Sequence, residues 1–254
     1  AGNVQPLMIN ATMVNSAIER LNLKAYYRFF NVDNNSRTVR FNEGIIVNDQ
    51  APAGCPPTCP EAGSEAFPYA YSRQDMGMEA AYDFTRWLNG KFVYNWQRYH
   101  REKQDVLTSD EFTIGPIFDI KPYAGLLFRA AYRHSYRVAP NYDNNRLSPP
   151  TCPAVPGDCV DAANISRKFY EAQRHQDKVS LFTEFSPWEN VSLHAGFEFK
   201  NERFAGTLGT VFDNNYSPSI GFAYAPLEWL RFFGDYNFDI YGWKLDAMQR
   251  SSTA

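Results

Sequence analysis

What this chain of 254 residues lacks narrows its nature before anything it contains is considered. Its longest apolar runs, such as Ala124 to Phe128, fall far short of the ~18 residues a membrane helix needs, so any membrane crossing must be made by strands. No charge sign dominates: 25 Lys and Arg against 28 Asp and Glu, evenly spread, give a net charge of -3 and no basic patch for nucleic acid. There is no Gly-x-Ser-x-Gly elbow, phosphate loop or dinucleotide fingerprint. The four histidines, His100, His134, His175 and His194, sit apart without metal-ligand spacing, so no metal site and no catalytic residue is expected and the chain is not read as an enzyme. Cys-x-x-Cys-His is absent, so any haem must be carried by another chain. The chain opens at Ala1 without a basic and apolar leader, as expected of a mature protein or an excised piece.

Cysteine is scarce and oddly placed. The four fall in two local pairs, Cys55 with Cys59 and Cys152 with Cys159, each inside a Pro-rich stretch. Such pairing reads as two short-range disulfides made in an oxidising compartment, the periplasm or the cell surface. Metal binding is the rival reading, but neither pair has a histidine nearby.

Aromatic residues, by contrast, are abundant: 16 Tyr, 20 Phe and 5 Trp, 16% of the chain. Yet the mean hydropathy is -0.47. An apolar face and a polar face on every strand would average in that way, as in a barrel with a greasy outside and a wet inside. The pattern along the chain has the matching period of two. Val191, Leu193, Ala195, Phe197 and Phe199 alternate with Ser192, His194, Glu198, Lys200 and Glu202. A strand turns successive side chains to opposite faces, so one face here is apolar and the other charged. The same alternation sets Leu126, Phe128 and Ala130 against Arg129, Arg133 and Arg137. It also sets Met76, Met78, Ala80 and Tyr82 against Arg73, Asp75, Glu79 and Asp83, and Leu21, Leu23 and Tyr27 against Asn22, Lys24 and Arg28.

About eleven strands are expected, at 8–15, 19–32, 37–48, 68–84, 89–102, 110–120, 124–137, 167–185, 190–204, 214–225 and 228–242. Most are long enough for a tilted bilayer crossing. Their connections alternate in kind. Tight turns carrying aromatics fall near Trp87, Tyr123, Trp188 and Trp229, while longer polar loops fall at about 49–67, 102–109, 138–166 and 205–213. An up-and-down meander then gathers the tight turns at one rim and the long loops at the other, the asymmetry of outer-membrane barrels. The four rim aromatics would form an interfacial girdle on the periplasmic side. Residues 1–254 therefore read as a single all-β region, an antiparallel up-and-down transmembrane β-barrel of the bacterial outer membrane. Loops 49–67 and 138–166 would be external, each with its disulfide. Arg73, Asp75, Glu79, Asp83, Arg129, Arg133, Arg137, Glu198, Lys200 and Glu202 would line the lumen and meet whatever occupies it. A soluble sandwich or lipocalin-like barrel, with the apolar face turned inward, is the alternative. Asp-Asn-Asn recurs at 33–35, 143–145 and 213–215; Asx turns at strand ends are the expected cause, calcium binding the rival.

Certain runs carry a family resemblance. Leu23-Lys24-Ala25-Tyr26-Tyr27-Arg28-Phe29-Phe30 leading to Asp33-Asn34-Asn35, and Tyr71-Ser72-Arg73-Gln74 before an amphipathic strand, resemble elements of the MtrB/PioB family of decahaem-associated outer-membrane proteins. Thr108-Ser109-Asp110-Glu111, Tyr132-Arg133-His134-Ser135-Tyr136-Arg137 and Ala172-Gln173-Arg174 before Phe185-Ser186-Pro187 follow in the same order. The resemblance implies a wide barrel that sheathes a periplasmic multihaem c-type cytochrome, binds no cofactor itself, and lets electrons cross the outer membrane. A solute-conducting porin is the other function it leaves open. Family barrels are much larger than eleven strands, so the resemblance also implies that this chain is part of a longer barrel. The cysteine loops have no counterpart in the family pattern.

Overall fold

The computed structural model describes residues 2–37, 39–40, 65–66, 68–102, 106–139, 166–167, 169–205 and 208–246. None of these is helical. Eleven antiparallel strands make one sheet: β1 (Val4–Ile18), β2 (Leu21–Asn34), β5 (Tyr71–Thr85), β6 (Leu88–Arg101), β7 (Thr108–Ile120), β8 (Leu126–Val138), β10 (Arg174–Trp188), β11 (Val191–Phe204), β12 (Leu208–Leu227), β13 (Leu230–Asn237) and β14 (Ile240–Asp246). They pair in chain order from β1 to β13, with β14 also on β12. The two-residue β9 (Ser166–Arg167) adds a parallel pairing to β12. Among the described residues no ladder joins β1 to β13 or β14, so the sheet is open.

Connections alternate as expected. Turns at Glu19–Arg20, Arg86–Trp87, Lys121–Gly125, Glu189–Asn190 and Glu228–Trp229 share one rim, and the longer connections share the other. Three expectations need correcting. First, the strand expected at 37–48 does not lie between β2 and the next long strand of the main sheet. β2 pairs directly with β5, from Leu21 opposite Tyr82 to Val32 opposite Tyr71, which leaves no edge between them. Within that stretch only β3 (Val39–Arg40) is described as a strand, and it pairs with β4 (Glu65–Ala66) in a separate ladder. Second, 205–213 is no long loop, since β12 already begins at Leu208. Third, the single strand expected at 228–242 is split into β13 and β14. Both keep one register on β12, and the gap lies where Phe238 faces Pro218. Phe238 donates its N–H to the Pro218 carbonyl, but proline has no N–H to return, so the ladder breaks there. The disulfide cysteines and most of loops 49–67 and 138–166 lie outside the described residues, as does Asp143-Asn144-Asn145.

Burial is inverted relative to a water-soluble fold. Large apolar side chains are exposed, with Met78 at 63%, Ile220 at 62% and Phe197 at 39%, while Asp75, Arg137 and Glu202 are each below 10%. The sheet therefore curls around its polar face. Phe197 and Phe232 stand outside, which the soluble-barrel alternative forbids.

The apolar face is a band with a sharp border. On nine strands in succession its row of alternate apolar residues ends, toward the long-loop rim, at a polar one: Gln5, Asn31, Gln74, Arg98, Asp110, His134, Asp177, Asn201 and Asn214. Asn214, followed through the registers by way of Asn201, Asp177, His134, Ile114, Tyr94, Met78 and Ala25, falls in line with Met13 of β1. Met13 is eight residues along β1 from Gln5, over eight strand-to-strand steps. The border is in register across β8, β10, β11 and β12 and across β5, β6 and β7, and moves between and beyond these groups. Averaged over the eight steps it shifts by about one residue (~3.3 Å) per strand spacing (~4.8 Å), which lies level on average if the strands tilt by ~35°, the tilt of membrane barrels.

Candidate functional site

Direct cross-strand partners share a face, so the registers settle which side chains lie together. All ten expected wall residues fall on the polar, concave face. They differ in how much of each is free. On β5, Glu79 lies between Lys24 of β2 and Lys91 of β6, 3.7 Å from each ammonium. Asp75 accepts from Arg73 Nη2 (3.1 Å) and from Gln97 Nε2 (2.6 Å), and Asp83 accepts from Asn89 Nδ2 at 2.7 Å. Arg129 of β8 makes a two-pronged contact with Asp119 of β7, at 2.6 and 2.8 Å.

Toward the long-loop rim the pairs merge into a network. Arg174 bridges Glu111 and Glu202 at 2.6 Å each, and Glu202 also accepts from Gln176 Nε2 at 2.6 Å and from Lys200 at 3.1 Å. Lys200 lies 3.7 Å from Asp213, and Lys178 holds Glu198 at 2.6 Å. Because most charges of this network find an opposite within a strand spacing, the polar face carries little net field there. Glu111, Arg174, Lys178 and Asp213 did not figure among the expected wall residues. Parity along β7, β10 and β12 would have found them.

Two expected wall residues depart from this pattern. The Arg137 guanidinium turns to the backbone: Nε donates to Ala172 O (2.9 Å), Nη1 to Tyr170 O (3.0 Å) and Nη2 to Phe169 O (2.5 Å). It clasps the segment 169–173 against the polar face, where Ala172 is fully buried. Arg133 has no ion pair or hydrogen bond among the described residues and is exposed, opposite Lys178 and flanked by Gly115. Gly115 is required there: a Cβ would sit 1.9 Å from the Tyr132 carbonyl oxygen.

Glycine serves the wall in a second way. Tyr26 of β2 lays its ring over Gly77 of β5 and its hydroxyl accepts from Asn95 Nδ2 of β6 at 3.1 Å, so one side chain ties three strands. A Cβ on Gly77 would lie 2.2 Å from that ring. The Asp-Asn-Asn repeats differ among themselves. Asn34 Oδ1 accepts from the Ser36 N–H at the end of β2, the expected Asx turn, whereas Asp213-Asn214-Asn215 lies inside β12. There Asn201 donates to Asn214 across the sheet, which corrects the turn expectation for that repeat.

At the tight-turn rim Trp87, Tyr123, Trp188 and Trp229 are all exposed, Trp229 at 79%. The Lys121–Gly125 turn is stitched to both neighbouring hairpins: the Lys121 N–H donates to Trp87 O (2.7 Å) and the Ser186 N–H to Gly125 O (2.6 Å).

A family model described as outer membrane beta-barrel porin, MtrB/PioB, matches residues 1–253. Among solved structures, OmpTdeltaL8, a loop L8 deletion mutant of the outer membrane protein OmpT of Vibrio cholerae, is similar at 10% identity over 95% of each chain, with a TM-score of 0.46. No curated protein matches.

Proposed function

The chain belongs to the MtrB/PioB family of outer-membrane β-barrel porins, and from that premise we propose that it is wall for a conduit, sheathing a multihaem c-type cytochrome so that electrons cross the outer membrane. It has no chemistry of its own in this reading, and the haem is the partner's. The observation that carries it is the concave face itself, a broad surface of mutually neutralised charges with scattered uncommitted groups such as Arg133. A folded protein surface, with its own mixed charges and hydrogen-bonding groups, suits such a wall. The apolar band insulates that interior from lipid. Its exposed rim aromatics suit the periplasmic interface.

Sheathing also sets a condition of size. Ten strand positions at ~4.8 Å spacing and ~35° tilt would close to only ~19 Å between backbones, which side chains reduce below the width of a folded cytochrome. A sheath therefore requires further strands on the open edges at β1 and β13/β14.

The porin alternative is favoured by one observation, the segment 169–173 held over the polar face by Arg137 as a constricting loop would be. Purification from native outer membranes separates the two. The sheath predicts a haem-staining partner that stays bound through size-exclusion chromatography. Stable single-channel conductance by the purified chain, with no haem protein retained, would instead make it a porin.

A further inference from the structure

We propose that Phe30, Tyr71 and Tyr99, with Arg28 and Arg73, form a docking patch on the inner wall for the exposed edge of a haem and its propionates. This rests on the sheath reading. The patch is assembled from the two sequence runs at 23–30 and 71–74, which the fold sets side by side, and from Tyr99 of β6: on the polar face Phe30 lies opposite Arg73, which lies opposite Tyr99, while Tyr71 lies opposite Val32 one step nearer the long-loop rim. The three rings form a continuous run. Phe30 and Tyr71 have centroids 5.8 Å apart at 50°, and Tyr71 and Tyr99 stack at 5.4 Å and 21°. The Arg101 guanidinium covers the far end of the run, 4.4 Å over Tyr99, and is itself tied to Ser109 Oγ at 3.0 Å.

All three rings are only half-buried, so π-surface remains open on the concave side. The charge beside them is what points to a ligand. Arg28 lies directly opposite Asp75, the carboxylate that should neutralise it. That carboxylate is already occupied by Arg73 and Gln97. Arg28 instead stacks on Tyr26, 4.9 Å from the ring centroid, exposed and without an ion pair or hydrogen bond among the described residues. Opposite charges in register pair at Lys24–Glu79 and Arg129–Asp119, whereas Arg28, like Arg133, has no counter-ion among the described residues. Of these two cations Arg28 is the one that shares a strand and a face with the aromatic run, two residues from Phe30. A porphyrin edge offers the complement of both parts: a planar π-system for the rings and carboxylates that an arginine can bind with two parallel N–H donors. A neutral sugar would use the rings and give the arginine hydroxyl oxygens but no counter-charge.

The test has two arms. In the first, haemin is titrated into the full chain in detergent by quenching of protein fluorescence, with protoporphyrin dimethyl ester and maltohexaose as comparison ligands. Arg28→Gln is expected to weaken haemin about tenfold and leave the dimethyl ester unchanged, and Tyr71→Ala to weaken both porphyrins about tenfold. Equal haemin affinity in the wild type and both variants would overturn the patch, as would displacement of haemin by maltohexaose. In the second arm, retention of the haem-staining partner is measured against salt for the wild type and the same variants, each checked for heat-modifiable mobility as a sign of folding. Lower salt resistance in the variants supports the patch, and retention equal to wild type overturns it. A wild type that retains no partner refutes the sheath reading instead, and the haemin titration still decides whether the patch binds porphyrin.

Discussion

At the scale of single residues, charge and parity do not fix what a wall side chain does. Arg133 and Arg137 sit four residues apart on one strand and one face, yet the first is exposed and, among the described residues, unpaired, while the second is buried with three carbonyls on its guanidinium. Hydrogen bonds to an ionised group contribute about 1.5–3 kcal/mol each, and a neutral amide in the same place cannot reproduce a fork of three. Arg137→Gln is therefore expected to release the segment 169–173. Its amide hydrogens should exchange roughly 100-fold faster, a local opening made easier by about 3 kcal/mol. Arg133→Gln should leave that exchange unchanged. Hydrogen–deuterium exchange with mass spectrometry reads both, and an unaltered rate in the Arg137 variant would show that the loop is held by something else.

At the scale of the strand, one step along the chain changes the solvent. Leu181 lies at the centre of the apolar band on β10, opposite Phe197 and Ala130, while Ser180 beside it lies on the wall, opposite Glu198 and Ala131. Leu181→Arg should destabilise the folded protein in lipid vesicles by about 2–4 kcal/mol, because the charge enters hydrocarbon near the midplane. Ser180→Arg should change stability by less than about 0.5 kcal/mol, since Glu198 stands within reach. Guanidinium unfolding in vesicles compares them; similar losses in both would contradict the assignment of faces. This division between faces could be read from the sequence, because alternation is a local property: Arg129, Arg133 and Glu198 fall on the wall wherever their strands pair. Register is not local. Nothing near Pro218 announces that its missing N–H will face Phe238, and the alternation in 37–48 looks like any other strand although β2 gives its edge to β5. The partners of Asp75 and Glu202, and the isolation of Arg28, were hidden for the same reason, since they depend on which strand lies alongside and at what offset.

At the scale of the molecule, the level polar border is the feature that ties sequence pattern to membrane. A band about nine residues high, tilted by ~35°, spans ~25 Å, the height of the apolar belt on outer-membrane barrels. Its middle on β12 is Ile220, and Trp188 stands at the tight-turn edge. Depth in the bilayer should therefore follow position in the band. In a chain whose other tryptophans are replaced by phenylalanine, Ile220→Trp should be quenched most by lipids brominated deep in the acyl chain, at carbons 11 and 12. Trp188 kept alone should be quenched most by bromines near the headgroup, at carbons 6 and 7. The tilt makes the comparison demanding, because Ile220 is level with different sequence positions on each neighbouring strand, and only a sheet curved and sheared as a barrel wall keeps them at one depth. Equal quenching of the two sites by both lipids would mean that the band does not lie level in the bilayer, and the polar face would then lose its claim to enclose a conduit.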